Sequence, residues 1–268
     1  MEKEIYFHVG LAKTGSTFLQ KNVFPKLHGI KYISTHKYKN CIDLINKEKH
    51  KKILISREFD RQFEKEVKWF TSHFPNTKII VVFRRHDQWI SSQYKRFVKN
   101  GYSLNFNQFY DIENDSGFWK NKEMIYKNKI LLIKKYSPYK PLVLFYDEIK
   151  TNPYNFIDRI VKYTKSTYKK DSISLNVVHK SYNEKQLFFL RSYCRIFKKT
   201  PPTYYENNKL LHWLLYRPWW LFFHLLMYLA LIIPKSIIVN KPLIEINQLQ
   251  KIKEKYTNDW NYIKRLKF

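Results

Sequence analysis

Fourteen residues near the start of the sequence, Ile5-Tyr-Phe-His-Val-Gly-Leu-Ala-Lys-Thr-Gly-Ser-Thr-Phe18, decide the predicted fold. Residues 5–9 are mostly apolar and predict a strand, and residues 16–24 predict a helix that Pro25 closes. The loop between them carries Gly10 and Gly15. A strand, a glycine-containing loop and a helix in this order turn backbone N–H groups toward one point, so the stretch predicts an anion-binding loop.

Beyond this stretch, strand and helix patterns alternate through the first half of the chain. Further strands are predicted at residues 31–34, 52–56, 78–83 and 141–145. Strands that alternate with helices predict an α/β fold, with a mainly parallel central sheet flanked by helices in three layers. Ligands bind at the carboxyl ends of such strands, which directs attention to the residues that follow Val9, Ser56 and Phe83.

The second half of the chain has a different character. No strand is predicted from Gln186 onward, and the spacing of apolar residues around Leu187 and Leu249 indicates helices. We therefore expect one α/β domain over residues 1–200. Residues 201–268 are expected to form a helical, partly hydrophobic carboxy-terminal extension.

Residues 210–233 are densely apolar and aromatic, but Arg217 and Pro218 interrupt them. The uninterrupted part, residues 219–233, is shorter than the roughly 20 residues that span a bilayer. Two interpretations stay open, with a membrane span as a less favoured third. The segment is either a helix buried in the domain or in a dimer interface, or a helix that lies in a membrane surface with its tryptophans at headgroup depth.

The charge of the chain restricts its partners. Fifty Lys and Arg residues against 22 Asp and Glu residues give a net charge of +28, which favours nucleotides, acidic lipids, acidic glycans or nucleic acid. Lysine-rich codon usage would give the same excess. Nucleic acid is a minor hypothesis, because the basic residues are spread along the chain and no zinc-finger or RNP-like motif occurs.

The cysteines and the amino terminus indicate a compartment. Cys41 and Cys194 are too few for a disulfide framework or a thiolate metal site, which points to a reducing environment. The apolar run of residues 5–9 is too short for an export signal. We expect a cytoplasmic protein, at the inner face of the membrane if residues 210–233 bind lipid.

The loop has the Gly10-x4-Gly15 spacing of a nucleotide-binding P-loop, so the predicted fold is P-loop-like. An ATP-type loop carries its lysine directly after the second glycine, where this chain has Ser16 and Thr17. The lysine of this loop, Lys13, comes earlier. The shift favours a shorter anionic chain than a nucleoside triphosphate.

The segment Ala12-Lys-Thr-Gly-Ser-Thr17 resembles the 5′-phosphosulfate loop of sulfotransferases that use 3′-phosphoadenosine 5′-phosphosulfate (PAPS), usually Pro-Lys-Thr/Ser-Gly-Thr-Thr. The lysine of that family falls on Lys13. Ala12 replaces the usual proline, and Phe18 stands where cytosolic members often have tryptophan. The resemblance implies that the nucleotide is bound by Lys13, Thr14, Gly15, Ser16, Thr17 and Phe18.

A second motif has the same resemblance. The family places an arginine at the end of a strand and a serine eight residues later, and the two bind the 3′-phosphate of PAPS. Arg84 and Ser92 match this spacing, and the guanidinium fork of arginine suits phosphate. Arg85 with Ser91 is the alternative pair, without the eight-residue spacing.

The resemblance also implies a general base. Many carbohydrate sulfotransferases use a glutamate in the region where the third strand of this chain ends with Ile55-Ser-Arg-Glu58. Glu58 is assigned this role, with His36 and His86 as competitors and a surface salt bridge as the structural alternative. Weaker similarities to the family occur at residues 144–153 and at residues 178–181.

Together these resemblances imply a sulfotransferase domain over residues 1–200 that moves a sulfuryl group from PAPS to an acceptor hydroxyl by in-line displacement, leaving the desulfated nucleotide PAP. No metal is expected. We favour a saccharide or glycan as the acceptor and consider peripheral contact with an anionic membrane. Two alternatives remain open: a P-loop kinase that uses ATP and Mg²⁺, and a non-enzymatic basic protein of the membrane surface.

Overall fold

Five parallel strands in the order β2-β3-β1-β4-β5 form the central sheet. The structure is a computed structural model that describes residues 3–176, 182–198, 209–234 and 242–266. The strands are β1 (Glu4–Gly10), β2 (Lys31–Ile33), β3 (Lys52–Glu58), β4 (Thr77–Phe83) and β5 (Leu142–Phe145). The chain divides into two units: residues 1–85, 125–179 and 256–268 form the first, and residues 86–124 and 180–255 form the second.

The sheet belongs to the first unit, together with most of the helices that the alternating pattern predicts. These helices are α1 (Ser16–Phe18), α2 (Cys41–Lys47), α3 (Phe63–His73), α7 (Tyr126–Tyr136), α8 (Tyr146–Thr151), α9 (Pro153–Thr164) and α13 (Thr257–Lys264). The second unit contains α4 (His86–Lys99), α5 (Phe106–Phe109), α6 (Asn121–Met124), α10 (Glu184–Ile196), α11 (Lys209–Ile232) and α12 (Ile246–Lys255).

Strand β1 lies at the centre of the sheet and buries side chains on both faces. On one face, Tyr6 joins a core cluster with Leu19 and with Phe156 of α9. On the other face, Phe7 packs against Phe70 of α3, with ring centroids 4.3 Å apart. Helices therefore cover both faces, which confirms the predicted three-layer α/β fold and explains the continuous apolar runs of the strands.

The helix predicted at residues 16–24 forms with a change of winding. α1 continues into one π-helical turn, Leu19–Val23, and one 3₁₀ turn, Phe24–Lys26, which contains Pro25. A proline near the start of a helical turn removes no hydrogen bond, because the N–H groups there have no partner within the turn. Pro25 can therefore be part of the last turn of the helical run rather than following it.

The sequence pattern predicts one helix from Met124 to Tyr136, whereas α6 ends at Met124 and α7 begins at Tyr126. The Asp259 carboxylate of α13 accepts hydrogen bonds from the backbone N–H groups of Tyr126, at 2.7 Å, and Lys127, at 2.9 Å. These are two of the N–H groups that the first turn of a helix leaves without an intrahelical partner. The cap that fixes this boundary lies more than 130 residues away in the sequence, so no local pattern reveals it.

In the second unit, α11 packs on α10 through one face. Phe223, Leu226, Met227 and Ala230 are buried at the spacing of one helical stripe. The side-chain amide of Gln186 donates a hydrogen bond to the Met227 carbonyl oxygen at 3.1 Å. Among the side chains of residues 210–232, this stripe accounts for all the buried ones.

The rest of α11 is apolar but uncovered. Residues Leu210–Ile232 are long and apolar enough to cross a membrane, yet only 22% of their most apolar window is buried. The helix runs unbroken past Arg217 and Pro218. The described part of the chain therefore buries only one stripe of this helix. A contact with a second copy, a contact with a membrane surface and a membrane span stay open for its exposed side. The predicted division of the chain at residue 200 stays a prediction.

Candidate functional site

The loop between β1 and α1 has the backbone geometry of an anion-binding turn. Lys13 and Gly15 have positive φ angles of 69° and 90°, and the Thr14 hydroxyl donates to the Leu11 carbonyl oxygen at 2.7 Å. Left-handed residues within a turn let successive N–H groups converge on one point. For a lysine this conformation costs about 1–3 kcal/mol, and strain of this kind gathers at functional sites.

Gly15 lies close to α8 in a left-handed conformation. A Cβ atom on Gly15 would lie 2.5 Å from the Cδ1 atom of Ile149 and 3.3 Å from the ring of Tyr146. The Ile149 side chain would have to move to admit it, and the φ angle of Gly15 also favours glycine. The second glycine of the motif therefore lets the loop lie directly against α8.

The two hydroxyl residues of the motif begin α1. Ser16 is buried, with 2% of its surface exposed, whereas Thr17 is half-buried. Within the described part of the chain, the Ser16 Oγ atom has no hydrogen-bond partner. A buried hydroxyl in this state costs about 1–3 kcal/mol, and a ligand that bonds to it removes that cost. Phe18 is half-buried and packs against the core cluster.

Arg84, which directly follows β4, lies beside the loop. Its guanidinium donates to the Lys13 carbonyl oxygen at 3.4 Å and stacks on the Tyr146 ring, 4.4 Å from the centroid. Its own carbonyl oxygen accepts a hydrogen bond from the Tyr126 hydroxyl at 2.8 Å. The structure thus brings together the two motifs that sequence analysis took as separate parts of one nucleotide site, although 71 residues separate them.

Glu58 ends β3, directly beside the start of the loop. It pairs with Gly10 in the parallel register, and the next residue, Phe59, donates its backbone N–H to the Gly10 carbonyl oxygen at 2.9 Å. The Ala12 backbone N–H bonds to the Asp60 carboxylate at 3.1 Å, which ties the loop to the segment after Glu58. Glu58 is half-buried.

The two competing histidines occupy different positions. His36 is exposed and lies in the 3₁₀ helix after β2, the edge strand beyond β3. The loop follows β1, Glu58 ends the neighbouring strand β3, and His36 follows β2, which is one strand farther away. Neighbouring strands are about 4.8 Å apart. His86 begins α4 and is only 1% exposed.

Two parts of the predicted site stay predictions. Ser92 is half-buried on α4 in the second unit, and its pairing with Arg84 remains a prediction. The segment at residues 178–181 lies outside the described residues.

Sequence analysis noted residues 144–153 as a weaker similarity but assigned no role to two of their side chains. Tyr146 provides the ring under the Arg84 guanidinium, and the Lys150 ammonium lies over the same ring, 5.3 Å from its centroid. Tyr146 directly follows β5. Since ligands bind at the carboxyl ends of parallel strands, this position was the signal available in the sequence. His8 lies on β1 and is fully buried.

The groups around the loop suit an anion. The cations of Lys13, Arg84 and Lys150 and the hydroxyls of Ser16 and Thr17 favour negative charge, as do the loop N–H groups other than that of Ala12, which bonds to Asp60. Glu58 is a neighbouring carboxylate. Among the side chains that the structure describes, no cluster of three or more His, Cys, Asp or Glu is arranged to hold a metal ion.

Comparison with known proteins gives one finding at the level of the fold. No protein-family model matches the sequence, and no curated protein matches it. The fold is similar to the crystal structure of a sulfotransferase from Alicyclobacillus acidocaldarius, with a TM-score of 0.50 and 12% sequence identity. The similarity covers 69% of this chain and 87% of that one. At this identity the similarity concerns the fold.

Proposed function

We propose that the chain is a PAPS-dependent sulfotransferase, which moves a sulfuryl group from PAPS to an acceptor hydroxyl. The observation that carries the proposal is the 3.4 Å hydrogen bond from the Arg84 guanidinium to the Lys13 carbonyl oxygen. This bond joins the loop motif to the strand-end arginine motif. The loop comes first in the sequence and the arginine later, as in the family that the sequence resembles. The fold similarity to a sulfotransferase is consistent with this function.

The residues of the loop fit the 5′-end of the nucleotide. The unpartnered Oγ atom of buried Ser16, the hydroxyl of Thr17 and the converging N–H groups are donors, and Lys13 adds a cation. We assign residues 13–18 to the 5′-phosphosulfate. Arg84 is assigned to the 3′-phosphate, with Ser92 as its predicted partner.

In the proposed reaction, Glu58 accepts the proton of the acceptor hydroxyl as that oxygen attacks sulfur. A new S–O bond forms to the acceptor, while the S–O bond to the 5′-phosphate breaks and PAP leaves with the bridging oxygen. Negative charge grows on that oxygen. Lys13, Ser16 and the loop N–H groups lie where this charge develops and therefore stabilise the transition state more than the ground state.

The acceptor is proposed to be a hydroxyl of a saccharide or glycan. Its support is the resemblance of Glu58 to the base of carbohydrate sulfotransferases. The net charge of +28 also suits an acceptor that is already acidic.

We further propose that the enzyme is cytoplasmic and contacts an anionic membrane through α11. On the side of this helix opposite its buried stripe, Leu221, Leu225 and Leu229 are 58%, 57% and 44% exposed. Exposed apolar surface of this extent is typical of interaction sites.

The positive charge of the segment around α11 favours a lipid surface, rather than a second copy of the chain, as the partner that contacts the exposed side of this helix. The sequence from 185 to 241 has one acidic residue, Glu206, and nine basic ones: Lys185, Arg191, Arg195, Lys198, Lys199, Lys209, Arg217, Lys235 and Lys241. Anionic headgroups attract such a segment by about 1 kcal/mol per basic residue near the surface. A second chain with the same charge repels it.

Thermal stabilisation by nucleotides tests the nucleotide assignment. PAP and AMP differ by the 3′-phosphate alone, so PAP should raise the Tm more than AMP does, without added metal ion. In the Arg84→Ala variant the two nucleotides should give equal shifts. Stabilisation that needs ATP together with Mg²⁺ would support the kinase alternative instead, and no shift with any nucleotide would leave a non-enzymatic membrane protein.

A further inference from the structure

A chain of polar side chains lies in the core beneath the loop. His8, on β1, is fully buried, and its Nδ1 atom is 2.8 Å from the Ser56 Oγ atom of β3. The Gln20 side-chain amide donates to the same Oγ atom at 3.0 Å. A buried polar group lowers the stability of the fold unless it forms hydrogen bonds. The hydrogen bonds of these three side chains are therefore a guide to their role.

The hydrogen bonds of Ser56 are compatible with a His8 ring that carries its proton on Nε2. Burial lowers the pKa of His8 to about 3, so the ring is neutral near pH 7. Ser56 accepts from Gln20 and can donate its own proton to Nδ1 of His8. With Nδ1 as the acceptor, the proton of the neutral ring lies on Nε2.

The imidazole edge of His8 that carries Nε2 and the hydroxyl of Ser16 both lie close to Gly10. A Cβ atom on Gly10 would lie 3.0 Å from His8 Nε2 and 2.8 Å from Ser16 Oγ, so the two atoms border the same small space. In the described ranges neither of them has a hydrogen-bond partner. A side chain at position 10 would fill the space that these two atoms border.

We infer that His8 is a positioning residue for the anion loop. Its Nε2–H group donates to Ser16 Oγ when an anion occupies the loop, and the Ser16 proton is then directed toward the anion. Ser56 and Gln20 hold the ring in the required tautomer. This role rests on the proposed function of the loop and adds to it a residue that does not touch the ligand.

Two substitutions of His8 separate this role from simple packing. The amide nitrogen of glutamine can replace Nε2, whereas that of asparagine replaces only Nδ1. Calorimetry with inorganic phosphate and with PAP should show affinities for His8→Gln within about threefold of the wild type. For His8→Asn we expect about a tenfold loss, the equivalent of one hydrogen bond. Equal losses in both variants would overturn the inference.

A double-mutant cycle tests whether His8 acts through Ser16. In a Ser16→Ala background, His8→Asn should cause no further loss of phosphate affinity, because the hydroxyl that it positions is gone. A merely structural role would give the same loss in both backgrounds and would overturn the inference. Circular dichroism checks that each variant is folded.

A measurement on the wild-type chain covers the case in which His8→Asn does not fold. ¹⁵N NMR of labelled histidine should show the His8 ring protonated at Nε2, with its signal identified by its absence from the His8→Gln spectrum. Addition of phosphate should shift that N–H proton. A ring protonated at Nδ1, or no shift at saturating phosphate, overturns the inference. Binding of phosphate without binding of PAP rejects the proposed function and leaves the role of His8 testable.

Discussion

At the scale of single residues, the site combines groups that the sequence reveals with groups that only the structure reveals. Lys13 and Arg84 follow strand patterns at recognisable spacings, so both are candidates from the sequence, and their roles stay predictions. His8 and Tyr146 are not, because no local spacing encodes that His8 lies near Gly10 or that Arg84 stacks on Tyr146. A histidine within an apolar strand has the same pattern whether it is an ordinary core residue or part of a polar chain.

Lys13→Ala should lower turnover with PAPS by about 10²–10³-fold, as loss of one group that stabilises transition-state charge does. Steady-state kinetics with a sulfated-product assay measures it. Lys47→Ala is the matched control, because Lys47 is also exposed but lies in α2 before β3 begins, at the other end of the strands. A near-normal rate in Lys13→Ala would remove Lys13 from the mechanism.

Glu58→Gln should fold and bind PAP with wild-type affinity but lose sulfuryl transfer, because the amide cannot accept the proton. Single-turnover kinetics and calorimetry separate the two effects. His36→Ala should keep its activity, since His36 follows the edge strand. If His36→Ala is inactive and Glu58→Gln is active, the histidine is the base.

The buried ring of His8 should make the stability of the protein depend on pH. Its pKa is about 3 in the folded chain against an ordinary value of 6.5, so between these values the unfolded chain binds a proton that the folded chain does not. The free energy of unfolding should therefore fall as the pH is lowered from 7 toward 4. Urea unfolding should show a shallower fall for His8→Gln, and identical slopes would contradict the burial of this ring.

At the scale of helices and strands, apolar runs and helical spacing were enough to predict the sheet and most of the helices around it. Boundaries were harder where the deciding group is distant. α7 begins at Tyr126 because Asp259 caps it, and α13, which carries that aspartate, was not separated from the preceding helix in the sequence analysis. The single turn at Tyr256 that divides the two helices leaves the apolar spacing nearly continuous.

The contact between the loop and α8 should be measurable with two glycine substitutions. Gly15→Ala adds a left-handed alanine and a clash with Ile149, whereas Gly29→Ala adds only the left-handed alanine, since no heavy atom lies within 4 Å of its Cβ position. The second change should cost about 1–2 kcal/mol of unfolding free energy. Gly15→Ala should cost clearly more and weaken PAP binding. Equal costs would mean that α8 does not press on the loop.

At the scale of the whole molecule, the two units and the exposure of α11 could not be read from the sequence. An apolar segment has the same composition whether it is buried, paired with another chain or in contact with lipid. The net charge can be counted from the sequence, but alone it does not identify a partner. It favours a lipid surface only together with the exposed side of α11, which lies in a segment with nine basic residues and one acidic residue.

Vesicle binding tests the membrane contact. The wild type should float with vesicles of phosphatidylglycerol and phosphatidylcholine, less with phosphatidylcholine alone, and less at high salt. Leu225→Glu should weaken binding at least about tenfold, because it places a charge on the apolar face. Leu131→Glu is the matched control, since Leu131 is 47% exposed on α7. A wild type that is a dimer without lipid, and that Leu225→Glu converts to monomers, would assign this face to a second copy.

The cap that Asp259 gives to α7 connects a helix late in the sequence to the residue that follows β4. Tyr126, whose N–H group is capped, also holds the backbone of Arg84 through its hydroxyl. Arg84 and Asp259, which lie far apart in the sequence, are therefore coupled through the single residue Tyr126. A substitution such as Asp259→Asn should act on the backbone of Arg84 indirectly, by loosening the first turn of α7.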